Sequence, residues 1–536
     1  MTGDDDGSSA LNGTLSFEST IPDTEKNEYG MTPASWTQND GDAKGRVALT
    51  GVIPDTPVNI FGALVESGKG NAYESSVSLT GGSFLSGSIA GGAAVSWGTG
   101  DAYANAVTIE DSSVEGLITG GVVYDSLGNA YGNAVSISGD STISGVRGFG
   151  SVYGGYVNGN PGKADRNAVT MSGGTMGVPV YGGLVEYWAW GPVNLVSVAE
   201  PAPAELSPEP LDVSADNNTV AFSGVGVEIS TDTLSGAGVK SDGIFGGCVR
   251  ISEIYPGISV SADTNTAALS HVSASGARVY GGLIESGFAY PYPVRSSGSS
   301  DSVLSSVSLS ASGNSVFLEQ SSAGDVYGGT IRTGGQTYAY PSFQAPEFAI
   351  IPPPTAFTAH ADGNTVGIAD SSAVSGDVHG GLIEYGMPIE PETPVLMMSF
   401  LVPDPVQPEA APVVFHGSAD SNTVSIAGTA GTLTVDGNVY GGIVRVSPAS
   451  VDALAQSEFS VTAEKNTVIL AGGSTVSGSV YGGSVFGSSA GAEVSEESFQ
   501  AVRDSVSGDT GSLAGSSSVT ASVSGNTVRI EGGSTV

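Results

Sequence analysis

Short segments in which apolar residues stand two apart, each bounded by Gly, Ser, Asp or Asn, recur along most of the chain. The clearest reads Asn-(Thr/Ala/Ser)-Val-x-(Ile/Leu/Met/Phe). It occupies Asn105 to Ile109, Asn133 to Ile137, Asn167 to Met171, Asn218 to Phe222, Asn314 to Leu318, Asn364 to Ile368, Asn422 to Ile426, Asn466 to Leu470 and Asn526 to Ile530. The copy at Ser75 to Leu79 lacks the Asn, and that at Asn265 to Leu269 lacks the Val. A period of two places both apolar side chains on one face, so each segment is predicted to be a short β-strand. No stretch carries the 3.6-residue period of a long amphipathic helix.

A turn of Gly-Gly-Ser or Asp-Ser-Ser type follows, and then a second segment, typified by Val439-Tyr440-Gly441-Gly442-Ile443-Val444-Arg445. Its glycine pair recurs at Gly154-Gly155, Gly182-Gly183, Gly246-Gly247, Gly281-Gly282, Gly328-Gly329, Gly380-Gly381 and Gly482-Gly483. Earlier copies stand at Gly91-Gly92 and Gly120-Gly121, with a degenerate one at Gly62-Ala63. From the motif Asn to the first glycine the interval stays near 15 residues in most copies (105 to 120, 167 to 182, 364 to 380). From the pair to the next Asn it swings from 13 residues (120 to 133) to 44 (482 to 526), so the insertions are expected to leave at one corner. Strands this short cannot bury a core alone but can when stacked, which predicts an all-β, parallel β-solenoid with about one coil per repeat. Parallel strands joined by long crossovers imply a right-handed coil. Residues 1–50 carry no clear copy and read as a leader or cap, and residues 51–536 as the solenoid domain. Gly532 to Val536 matches Gly472 to Val476 letter for letter, so the sequence is expected to stop mid-repeat.

Stacking makes two columns testable. Glu186, Arg250, Glu285, Arg332, Glu384 and Arg445 follow their glycine pairs at a constant offset, and their sign alternates without a break. At about 4.8 Å between rungs, opposite charges attract and like charges repel, so this is predicted to be a charge ladder that fixes register. Tyr153, Tyr181, Phe245, Tyr280, Tyr327, His379, Tyr440 and Tyr481 form the second column, read as structural stacking in preference to a binding stripe.

The run from Asn466 to Gly483, Asn-Thr-Val-Ile-Leu-Ala-Gly-Gly-Ser-Thr-Val-Ser-Gly-Ser-Val-Tyr-Gly-Gly, resembles the repeats of passenger regions in bacterial autotransporter-like surface proteins. The likeness covers about residues 58–536. It implies a right-handed parallel β-helix, export to the cell surface or the extracellular space, and an adhesive role. It also implies an outer-membrane barrel, which is expected in a missing C-terminal part, since no barrel-like segments occur here. No signal peptide is visible, Met1 being followed by Asp4, Asp5 and Asp6, and no apolar run is long enough to span a membrane as a helix.

Composition narrows the chemistry. With 16 Lys+Arg against 54 Asp+Glu and a formal net charge of -38, there is no basic face for nucleic acid. The single Cys248 excludes an internal disulfide and is read as a small core residue. His271, His360, His379 and His416 stand at different repeat positions without metal-ligand spacing. Asp165, Asp216, Asp263, Asp362, Asp420 and Glu464 each precede a motif Asn by two residues. A stacked acid column would suit calcium, but Asp-x-Asn is also what a tight Asx turn wants, and the turn is the preferred reading. No other cofactor is expected. A polysaccharide hydrolase or lyase on this scaffold is the alternative class, and it would need convergent carboxylates. Candidate ligand contacts instead fall in the inserts: Trp188, Trp190, Tyr290, Tyr292, Tyr338, Tyr340 and Phe400. Long loops on a rigid scaffold are where binding concentrates. The reading is therefore a non-enzymatic adhesin or stalk, with host glycans, matrix proteins or other cells as partners.

Overall fold

The computed structural model describes residues 8–12, 32–33, 36–38, 42–54, 57–66, 69–95, 99–145, 150–159, 161–187, 211–227, 243–251, 257–286, 293–295, 306–334, 348–350, 356–387, 414–428, 433–446, 458–489, 492–493 and 518–536. All regular structure among them is strand, and it forms a parallel β-solenoid. Two sheets run the length of the stack. The 13-stranded Asn sheet starts with Ser8–Asn12, Arg46–Thr50 and Ser76–Thr80 and ends with Thr527–Ile530. The 14-stranded long sheet is built on the glycine-pair segments, which run from Ile60–Glu66 through Val180–Tyr187 and Val439–Val446 to Val480–Ser489.

Each later coil adds a corner strand just before its Asn strand. These strands make a seven-stranded sheet from Leu211–Ser214 through Ala356–His360 to Ser518–Ser522. Ala72–Tyr73, Ala102–Tyr103 and Ala130–Tyr131 take that place in the earlier coils. Short strands such as Thr142–Ser144 and Thr475–Val476 turn the chain from the Asn sheet toward the long sheet. Register is maintained from rung to rung: Val366 pairs with Val424, Ile368 with Ile426 and Gly381 with Gly442.

The period of two sets the core. Val and Ile of the Asn strands meet the short-strand valines and the Val that precedes the column tyrosine, as with Val424, Ile426, Val435 and Val439. A second apolar cluster joins the other half of the long strand to the corner strands, with Phe357, Phe415, Ile383 and Val444 among its members. Burying one such side chain is worth about 1.5–3 kcal/mol, and only a neighbouring coil can close each layer from above and below.

Two details depart from the sequence expectations. Arg46–Thr50 already belongs to the Asn sheet, with Val47 and Leu49 buried in register with Val77 and Leu79, so the stack begins before residue 51. Gly45 stands where later copies have Asn, which hid this rung. Most excursions leave after the long strand, at 188–210, 252–256, 335–355, 388–413 and 447–457. Others do not: residues 228–242 separate Gly226–Val227 from Gly243–Ile251, at the start of the long strand, as the shorter 146–149 separate Thr142–Ser144 from Ser151–Asn158, and 429–432 precede Thr434–Val435.

Candidate functional site

Around the glycine pair, small size decides the packing. A Cβ on Gly182 would lie 2.3 Å from the carbonyl oxygen of Gly246 and 2.9 Å from the Cβ of Asn218, and one on Gly183 would lie 2.2 Å from the carbonyl oxygen of Ala164. The pair is therefore required by close approach. The neighbour it admits is a buried asparagine ladder. The Asn218 Nδ2 donates to Asn265 Oδ1 at 3.1 Å, and Asn265 Nδ2 donates to Asn314 Oδ1 at 3.2 Å. The series continues through Asn364 and Asn422 to Asn466. Each Oδ1 also accepts the backbone N–H of the preceding Asn, as Asn314 Oδ1 does from Asn265 at 2.8 Å. Ser75 substitutes at the early end, its hydroxyl accepting from the Gly45 N–H while its own N–H donates to Asn105.

A signal for this corner was present in the sequence and went unread. Alanine stands three residues before the ladder position at Ala72, Ala102, Ala130, Ala164, Ala215, Ala262, Ala311, Ala361, Ala419 and Ala463, and each is fully buried. From Ala164 onward its carbonyl oxygen faces the second glycine of the pair, as Ala164 faces Gly183 and Ala419 faces Gly442.

On the outer face of the long sheet three columns run side by side. The aromatic column stacks ring on ring: Tyr181 on Phe245 at 4.6 Å, Phe245 on Tyr280 at 4.8 Å, Tyr280 on Tyr327 at 4.6 Å, and His379 between Tyr327 and Tyr440 at 4.9 Å each. The ring faces are thus taken by one another, which favours structural stacking over a binding stripe. Next to it lie Leu184, Cys248, Leu283, Leu382 and Ile443. Tyr181 is 1% exposed and Cys248 0%. Burial pushes the Cys248 thiol up to about 12, which keeps it an unreactive packing group.

The charge ladder forms the third column, and all five neighbouring pairs are bridged. Arg250 reaches Glu186 at 3.3 Å and Glu285 at 3.1 Å; Arg332 reaches Glu285 at 3.9 Å and Glu384 at 3.0 Å; Arg445 reaches Glu384 at 2.8 Å. Neutral groups close both ends. At one, the Tyr156 hydroxyl and Asn158 Nδ2 donate to Glu186; at the other, the Arg445 guanidinium lies over the Phe486 ring. The tyrosines tie this column to the aromatic one, since Arg250 donates to the Tyr181 hydroxyl and Arg332 to that of Tyr280.

The acid column is an inter-coil ladder rather than a series of local Asx turns. Asp216 Oδ1 accepts the N–H of Asp263 on the next coil at 2.7 Å, and its other oxygen accepts from the Ser261 hydroxyl. Asp165, Asp263, Asp362 and Asp420 repeat the scheme. A turn does follow each acid, through a residue with positive φ such as Arg166, Asn217, Thr264, Ser421 or Lys465.

Trp188, Trp190, Tyr290, Tyr292, Tyr338, Tyr340 and Phe400 lie outside the described residues. Two segments of the same excursions are described: Pro293–Arg295 pairs antiparallel with Phe348–Ile350, joining chain from successive coils outside the stack. A shallow depression on the Asn sheet is lined by Ser136, Thr170, Ser172, Ala221, Ala268 and Phe317, with Glu319 as its one carboxylate. Among the described residues no group of three or more His, Cys, Asp or Glu is placed to hold a metal ion, and no helix is long and apolar enough to cross a membrane.

No family model, curated protein or solved structure matches the chain.

Proposed function

We propose that the chain is a surface-displayed or secreted β-solenoid of the autotransporter-passenger type, acting as an adhesin or structural stalk. The observation that carries this reading is the separation of scaffold from excursions. Coils stay in register across insertions of very different length, while Pro293–Arg295 and Phe348–Ile350 bring two excursions together beside the stack. A scaffold whose coils are tied to one another by ladders of hydrogen bonds and ion pairs suits load-bearing and display. Glycans, matrix proteins or other cells are the proposed partners, met by the aromatic and Pro-rich inserts. Anchoring through a barrel encoded downstream is part of the same proposal.

The test replaces residues 335–355 by a short Gly/Ser linker and compares the purified proteins on immobilised polysaccharides and matrix proteins. Loss of binding with an unchanged thermal unfolding curve supports display. Binding that survives removal of every insert contradicts it, and release of new reducing ends from a polysaccharide would favour the enzyme alternative.

A further inference from the structure

We propose that the acid column is an acid-strengthened zipper, which holds neighbouring coils together more tightly as the medium moves from neutral to mildly acidic. Its geometry is specific. In the column Asp165, Asp216, Asp263, Ser312, Asp362 and Asp420, each side chain accepts the backbone N–H one coil further on, and Glu464 stands at the next rung. A hydroxyl from the next coil bonds each acid in turn: Ser214 to Asp165, Ser261 to Asp216, Ser310 to Asp263, Ser418 to Asp362, Thr462 to Asp420 and Ser522 to Glu464.

At one rung both partners change together. Where the acid becomes Ser312, the hydroxyl position paired with Ser310 and Ser418 becomes His360. The Nδ1 of His360 lies 2.7 Å from the Ser418 hydroxyl and 3.4 Å from Asp362. The column therefore has a gap in its negative charge, filled by a group that becomes a cation only on acidification.

Among the described residues, the other charges nearby do not neutralise the middle of the column. Lys163 is bonded to Asp212, Arg166 lies over the Tyr131 ring, and Lys465 follows Glu464. His416 stands on the same corner strand as Ser418. Asp216 and Asp263 are left as stacked, half-buried acids. Burial pushes the Asp216 carboxyl up to about 6, and it raises Asp263 and Asp420 as well. The hydrogen bond to Asp362 raises His360.

All of these groups are raised on folding, so the sign is common to them. The folded chain takes up protons that the unfolded chain does not, and the stabilisation is lost as pH rises through the folded values. For Asp216, moving from 3.8 to about 6 strengthens the folding equilibrium about tenfold between about pH 7.5 and about pH 5. His379, in the aromatic column, titrates in the opposite sense and cancels when variants are compared at one pH.

The test is urea unfolding of the full chain, of Asp216→Asn and of His360→Ser, at about pH 5 and about pH 7.5 in about 0.5 M salt to screen general repulsion. Asparagine keeps the acceptor for the Asp263 N–H and cannot ionise. Asp216→Asn is expected to lose about a tenfold acid gain relative to the parent, and His360→Ser to lose its share in the upper part of the window. If Asp216→Asn fails to fold, Asp420→Asn replaces it and is expected to lose acid gain in the same direction. A parent and variants whose stabilities differ by the same factor at both pH values would overturn the proposal.

Discussion

Arg332 sits at the centre of the charge ladder and offers the sharpest perturbation. Its guanidinium lies 3.0 Å from Glu384 and 3.9 Å from Glu285, and its side chain is 23% exposed. Arg332→Met removes both bridges but leaves Glu285 paired with Arg250 and Glu384 paired with Arg445. That loss is expected to cost about 2 kcal/mol, between the roughly 0–1 kcal/mol of an exposed pair and the 3–5 kcal/mol of a buried one broken from one side. Arg332→Glu adds two like-charge contacts one rung apart. At about 4.8 Å and an effective dielectric of about 20, each is worth about 3.5 kcal/mol before relaxation. Because the flanking carboxylates can swing toward solvent, a further loss of about 3 kcal/mol relative to Arg332→Met is expected in total. Urea unfolding followed by circular dichroism at low salt reads the order parent, Met variant, Glu variant, and the gap between the variants should shrink in about 1 M salt. Equal stability of the two variants, or a gap indifferent to salt, would refute the electrostatic reading and leave only packing.

Three further perturbations probe other parts of the stack. Asn314→Ala leaves the buried N–H of Asn265 without its acceptor and breaks two ladder bonds, which should cost about 3 kcal/mol in urea unfolding; a loss under about 0.5 kcal/mol would mean the ladder is dispensable. His379 is buried between two tyrosines, and burial with Arg445 and Arg332 nearby pushes it down to about 3, so its contribution is full above the ordinary 6.5 and lost as pH falls. His379→Tyr, which restores the column residue, should therefore remove about 2 kcal/mol of acid sensitivity between about pH 7 and about pH 5, and an unchanged acid slope in unfolding titrations would contradict this. Ala104 holds a φ of 55° at the turn before Asn105, so Ala104→Gly should raise stability by about 0.5–1 kcal/mol in the same assay, and a decrease would show that the turn is not strained.

Much of this architecture was legible because its rules are local and repeated. The period of two in Asn-x-Val-x-Ile specifies the strands, and the alternating signs from Glu186 to Arg445 specify the rung order. The glycine pair was visible as a motif, but its cause was not. Close approach to an asparagine on another coil is a three-dimensional fact that spacing along the chain does not carry. The acid column was read as a local turn because Asp-x-Asn spacing says nothing about which coil supplies the partner N–H. The rung at Arg46–Thr50 was missed because Gly45 breaks the consensus although Val47 and Leu49 keep the period. The excursion at 228–242 was missed for the opposite reason, an average spacing hiding a single long interval between Asn218 and Gly246.

Pulsed electron–electron spin resonance tests the central claim, that each repeat is one rung of a continuous stack. Labels at Ser172, Ser270, Ala369 and Ala471, each paired with one at Thr80, sit on the outer side of the Asn sheet at successive steps of its strand order. With Cys248 buried and unreactive, cysteine labels at these sites are selective. At about 4.8 Å per rung the separations should rise evenly, through about 14, 24 and 34 Å to about 43 Å, offset only by the label tethers. Separations that fail to increase with rung number, or that rise by steps far from about 10 Å for each two rungs, would contradict the solenoid.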